Sequence, residues 1–128
     1  MQLENSLNPS DKSVLYVDAE ETNLKLFKRG FRRSYKVHTA QTGDQALEIL
    51  RSKTIDLIIA NSKAGNMKGT ELLALTYSEF PDLVRIIMTG NTNTDLLMEE
   101  IKDVPIYKCV LKPYNKEDLE KTLNEALS

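Results

Sequence analysis

Three residues, Asp18, Asn61 and Lys112, have the chemistry and the placement to form a site, because each closes an apolar run. A short apolar run rich in β-formers reads as a buried strand, and a polar residue at its end is delivered to the sheet edge. Val14-Leu15-Tyr16-Val17 delivers Asp18, with Glu20 close behind; Ile55 to Ala60 delivers Asn61; Ile106 to Leu111 delivers Lys112. An acid, a base and a third polar group at one edge have the makings of a phosphoryl-acceptor pocket. Its central member, however, is an amide where a carboxylate would complete the acidic set. An amide oxygen is a poor nucleophile, and no acyl phosphate forms on it.

The elements that must position these residues alternate along the chain. Strands are expected at 14–17, 36–40, 55–60, 83–88 and 106–111. Helices are expected at 20–31, 42–50, 69–80, 93–102 and 115–127. Leu24, Phe27 and Phe31 recur at helical spacing, as do Leu119, Leu123 and Leu127; Leu72, Leu73, Leu75 and Tyr77 are assigned to the apolar face of the third helix, which Pro81 stops. Thr42 is a cap-like residue for the second helix, and Asn93 or Thr94 for the fourth. Residues 62–68 are expected to be a loop, in which Gly65, with Gly69 at its end, permits unusual backbone angles. Strictly alternating strands and helices with short connections predict a doubly wound α/β domain, a parallel sheet covered on both faces. Such sheets bind ligands outside the carboxyl ends of their strands.

Composition bounds the function. The chain has 128 residues, formal net charge −2, 41% hydrophobic and 28% charged residues, and one cysteine. This suits one globular domain in a reducing, cytosolic compartment, with no overall basic field for nucleic acid or membrane. Residues 1–12 are polar and expected to be a flexible lead-in to a domain over 13–128. No nucleotide-binding glycine loop occurs, and Cys109 has no catalytic partner at recognisable spacing. Lys25, Lys28, Arg29, Arg32 and Arg33 read as a solvated helix face, with an acidic protein surface as the other possible use; His38 reads as structural.

Four segments together, VLYVDAE at 14–20, DLIIANSKAGNMKGTELL at 56–73, RIIMTG at 85–90 and LKPY at 111–114, resemble the response-regulator receiver domains of two-component signalling. The resemblance spans roughly residues 13–127. It implies a flavodoxin-like, three-layer αβα fold with five strands in the order 2-1-3-4-5 and five helices. It implies a pocket of Asp18, Ala19, Asn61, Thr89 and Lys112, with Lys112-Pro113 across a cis bond. Within that pattern Asn61 stands at the phosphoacceptor position, Ala19 at the second magnesium acid, and Cys109 at the aromatic switch. Gly65 and Lys68 stand where receivers usually carry proline and an acid, and Gly65 predicts a more flexible loop.

Several expectations follow from the resemblance and its departures. Magnesium binding is weak at best, resting on Asp18, and no catalytic residue is assigned. The domain works by protein–protein contact in a phosphorelay, with a histidine kinase, a phosphotransfer protein or an output domain as partner. Contact is expected through the fourth helix, fifth strand and fifth helix, including Leu96, Leu97, Tyr107 and Cys109 beside Thr89, a face that could also support a homodimer. Two further readings stay open. In one, Asn61 stands in for a native aspartate, by engineering or by deamidation before Ser62; in the other, the vacated pocket senses a small anion through Lys112 and Thr89.

Overall fold

Strands that are apolar at every position can be buried on both faces only inside a covered parallel sheet. In the computed structural model, which describes residues 11–128, five strands, the central ones buried and the two at the edges partly exposed, form one parallel sheet. They are β1 (Ser13–Val17), β2 (Lys36–Ala40), β3 (Leu57–Asn61), β4 (Val84–Thr89) and β5 (Lys108–Leu111). Numbering only the strands of this sheet, their order is β2-β1-β3-β4-β5, as expected. The helices are α1 (Glu21–Phe31), α2 (Gly43–Ser52), α3 (Gly69–Glu79), α4 (Thr94–Glu100) and α5 (Lys116–Leu127).

Alternate residues of each strand point to opposite faces, which divides the core in two. Val14, Tyr16, Leu57, Ile59, Ile86 and Met88 pack beneath Leu24, Phe27 and Phe31 of α1 and Leu119 and Leu123 of α5. Leu15, Val17, Ile58, Ala60 and Ile87 pack against Ala46, Leu47 and Leu50 of α2 and Leu72 and Leu73 of α3, with Leu97 of α4 at the margin. The three layers expected from the sequence are therefore present.

The expected lead-in lies outside the described residues up to position 10. Lys12, also assigned to it, is not free, since its carbonyl accepts from the Lys36 N–H at 2.9 Å. The third helix corrects the sequence reading: Leu75 and Tyr77 are exposed, and Leu72, Leu73 and Thr76 face inward. Thr76 is drawn in by bonding. Its hydroxyl donates to Leu73 C=O at 2.7 Å and accepts from Arg85 Nε at 3.1 Å. Arg85 is buried and also donates to the carbonyls of Leu83 and Phe80 at 2.9 and 2.6 Å. The last turn of α3 has no basic residue of its own, so this guanidinium supplies the positive charge that a helix carboxyl end favours.

Residues 62–68 are not a plain loop. Lys63–Ala64 pairs antiparallel with Met67–Lys68, and Gly65 turns the hairpin at φ 71°, a left-handed conformation suited to glycine. Gly69 proves to be the first residue of α3, where close packing rather than backbone angle requires a glycine. Thr42 caps α2, accepting from Gln45 N–H at 3.1 Å. Asn93 is the α4 N-cap by position but makes no side-chain cap bond.

β2 forms one edge of the sheet. Its His38 is held below the usual imidazole range, first by burial and then by the charges of Lys53, Lys28 and Lys36. A folded value below the unfolded one means that its contribution to stability is present above about pH 6.5 and is lost as pH falls below that. The urea midpoint should therefore decline between about pH 7 and about pH 5.5, and His38→Gln should flatten the decline. Parallel slopes for the two proteins would refute this assignment.

Candidate functional site

The order of the sheet reverses at β1 and β3, which opens a crevice beyond their carboxyl ends. Asp18 follows β1, Asn61 ends β3, Thr89 ends β4 and Lys112 follows β5, so all four stand along this edge. Ser62 N–H donates to Met88 C=O at 2.8 Å, carrying the β3–β4 ladder one residue past Asn61. The peptide bond between Lys112 and Pro113 is cis, as expected.

Asp18 is buried, and its carboxylate is fully engaged. Oδ1 accepts from Glu20 N–H at 3.0 Å. Oδ2 accepts from the Tyr16 hydroxyl at 2.9 Å, Asn23 Nδ2 at 3.1 Å and Lys112 Nζ at 3.1 Å. A buried carboxylate is costly unless it is paired and hydrogen-bonded, and here it is both. Burial foremost, then the Asp18 charge, pushes the Tyr16 phenol well above its ordinary range, so it stays a neutral donor.

Lys112 joins the two halves of the site. Its Nζ also donates to Asn61 Oδ1 at 3.0 Å, while Asn61 Nδ2 donates to Lys63 C=O at 3.2 Å. An ammonium has three donors and no acceptor, so these contacts use two of the three and require the amide oxygen to face the lysine. Thr89 sits apart from this chain of bonds: its hydroxyl accepts from Asn91 N–H at 3.1 Å, and its carbonyl accepts from Lys112 N–H at 2.8 Å. Ala19 is exposed and contributes only its carbonyl, 3.4 Å from Gln41 Nε2.

These positions do not fit a magnesium ion. A hard divalent cation takes several oxygens, carboxylates foremost. Asp18 offers the single buried carboxylate among the described residues, and its two oxygens already serve four donors. Ala19 offers a methyl group and Asn61 a neutral amide. Among the described residues no three side chains of metal-binding type come together.

Beside the site an open cleft of about 370 Å³ is lined by Tyr16, Asn23, Leu26, Lys112, Pro113 and Tyr114. Its walls are largely apolar, and the adjacent ammonium is already neutralised by Asp18. Sequence reasoning missed Tyr16 and Asn23. A hydroxyl-bearing residue two places before Asp18, on the same face of an otherwise aliphatic strand, was the available signal for the first.

On the expected contact face, Leu96 and Tyr107 are exposed, with Leu111 and Met98 nearby in sequence and also exposed. Leu97 and Cys109 are instead half-buried against the core, and burial pushes the Cys109 thiol up. Glu100 of α4 accepts from the Thr70 hydroxyl at 3.2 Å and pairs with Lys68 at 3.6 Å. The lysine that departs from the receiver pattern thus ties α4 to the start of α3.

The profile of the family described as response regulator receiver domain matches residues 14–124. The chain is 27% identical over 120 residues to the hydrogenase transcriptional regulatory protein HoxA of Cupriavidus necator, covering 92% of this chain and 25% of that protein. It is 33% identical over 118 residues to the transcriptional regulatory protein ZraR of Klebsiella oxytoca, covering 90% and 26%. It spans about a quarter of the length of these curated relatives. The signal receiver domain of an HD domain-containing protein from Pseudomonas fluorescens Pf-5 superposes with TM-score 0.82 at 30% identity, over 91% of this chain and 94% of that one. A CheY-like receiver domain protein from Methanospirillum hungatei JF-1 gives 0.84 at 26% identity, over 91% and 93%.

Proposed function

The chain belongs to the response-regulator receiver domain family of two-component signalling, and from that premise we propose that it is an atypical receiver, blind to phosphorylation and acting by protein–protein contact. The observation that carries this reading is the Asp18–Lys112–Asn61 chain of bonds. Lysine and carboxylate, which in phosphoryl transfer would neutralise charge on the transferred group or its metal, here neutralise each other. Asn61 fills the acceptor position without a nucleophile.

Anion sensing has less support. An incoming phosphate would have to compete with Asp18 for Lys112, and the adjoining cleft is mostly apolar. Contact with a kinase, a phosphotransfer protein or an output domain is assigned to the exposed Leu96 and Tyr107 with α5, since exposed large apolar side chains are what a partner would cover. The tie from Lys68 and Thr70 to Glu100 supports a face held in one arrangement. The matched relatives are longer transcriptional regulators, and a receiver regulating an attached or separate output is the role we assign.

Intact mass after incubation with acetyl phosphate and magnesium tests the central claim. The unaltered chain should gain nothing, Asn61→Asp should be modified slowly, and Asn61→Asp with Ala19→Asp faster, because the second change restores a carboxylate for the metal. A phosphoryl group on the unaltered chain would overturn the reading.

A further inference from the structure

The charges of this chain are segregated in a way that its net value of −2 conceals. Residues 25–53 carry eight basic and two acidic side chains, whereas residues 94–128 carry eight acidic and five basic. The fold gathers the basic set at one corner, where the end of α1, the turn after it, edge strand β2 and the residue after α2 meet.

Lys28, Arg29, Arg32, Arg33, Lys36 and Lys53 are all exposed. Among the described residues none of the six lies within salt-bridge distance of a carboxylate; Lys25, one turn earlier, pairs loosely with Glu21 at 4.0 Å. Lys36 opens β2, and α1, which carries Lys28, and α2, which Lys53 follows, both pack against that strand. The phosphoacceptor edge is at the carboxyl ends of the strands, while Arg32, Arg33 and Lys36 lie where β2 begins, at the opposite end. Lys28 instead lines a cleft with Thr39, Ala40 and Gln41 toward the carboxyl end of β2, so it is the part formed by Arg32, Arg33 and Lys36 that is separate from the pocket described above.

We propose that this corner is a docking surface for an acidic polypeptide segment, used independently of the phosphoacceptor edge. Unpaired like charges repel in the free domain, and an acidic partner relieves that repulsion as well as adding attraction. A short segment suits the corner better than duplex nucleic acid does. Attraction of this kind acts over about 8 Å at physiological salt, so a partner confined to the corner avoids the acidic residues of α4. The one acid of α5 that reaches the turn, Glu120, is engaged by the Ser34 hydroxyl at 2.7 Å. No exposed aromatic residue lies in the basic set, which removes the stacking platform used for single strands.

Fluorescence anisotropy with a labelled Glu-rich peptide tests the proposal. Binding should be saturable and salt-sensitive, and Arg32→Glu with Arg33→Glu should weaken it about tenfold or more. Lys102→Glu with Lys121→Glu, the same charge change on the acidic side, should leave the loss smaller than about threefold, about half a decade. Arg32→Gln with Arg33→Gln supplies a milder version should the reversal impair folding, which circular dichroism would report. Equal losses for the two reversals would overturn the proposal. So would a mixed-sequence DNA duplex displacing the peptide at equal charge, or concentration-dependent self-association that the peptide dissolves, since those place nucleic acid or a second copy of the chain at the corner.

Discussion

Truncating Phe27 to alanine should lower the unfolding free energy by about 4 kcal/mol, the usual range for a buried aromatic. Phe27 is fully buried, stacks on Tyr16 at 4.4 Å and 11°, and meets Phe31 at 4.6 Å. It approaches Tyr114 edge-on at 6.5 Å. The ring therefore joins α1 to β1 and to the segment just after Lys112. Urea unfolding should show a lower midpoint at unchanged slope, and Phe27→Leu should recover most of the loss. Because Tyr16 holds Asp18, the truncation should also loosen the site. A loss under about 1 kcal/mol would mean that the neighbouring rings close over the gap.

Gly69→Ala sets two effects against each other. Alanine is the better helix former by about 1 kcal/mol, and Gly69 opens α3. A Cβ there would lie 2.1 Å from the Asn61 carbonyl oxygen and 3.1 Å from Ser62 Cα. Those neighbours are backbone atoms of the last residue of β3 and the residue after it, which cannot swing aside as a side chain can. Overpacking of this kind costs about 3 kcal/mol, so the clash wins and the variant should be less stable by about 2 kcal/mol. The Asn61–Lys112 contact should be disturbed as well, visible as amide shifts at both residues. A variant as stable as the parent would show that α3 can retreat from β3 without loss.

How much of this could be read in the sequence differs between the two parts. Strand identity was legible because continuous apolar runs such as Leu57 to Ala60 have few other stable placements. Helix faces were legible where leucines and phenylalanines repeat without competition, as in α1 and α5. In α3 the apolar residues surround the helix, so pattern alone could not exclude Leu75 and Tyr77; the deciding contact, Thr76 with Arg85, lies in a different element. The positions of Asp18, Asn61 and Lys112 along one edge followed from strand ends, and that of Thr89 from the family resemblance. Their bonding did not. Which donors saturate Asp18 depends on Tyr16 and Asn23, residues from a strand interior and a helix whose convergence no spacing rule announces. The close approach of Gly69 to Asn61 was hidden for the same reason: a glycine's neighbours across an interface leave no mark in its own flanking sequence.

The bond between Ser62 N–H and Met88 C=O bears on how this protein ages. Spontaneous conversion of an asparagine to an acid runs through a five-membered imide, formed when the next residue's backbone nitrogen attacks the side-chain amide carbon. That nitrogen belongs to Ser62, and it is held in the sheet ladder at 2.8 Å from its acceptor, while Lys112 and Lys63 fix the amide that it would have to reach. Ring closure requires breaking the ladder at that point, so folding itself makes the amide chemically durable. Peptide mapping after prolonged warming at mildly alkaline pH should find Asn61 intact in the folded chain and converted in a urea-unfolded control. Equal conversion in both would show that the lock does not hold. If it holds, time alone does not return a carboxylate to this position.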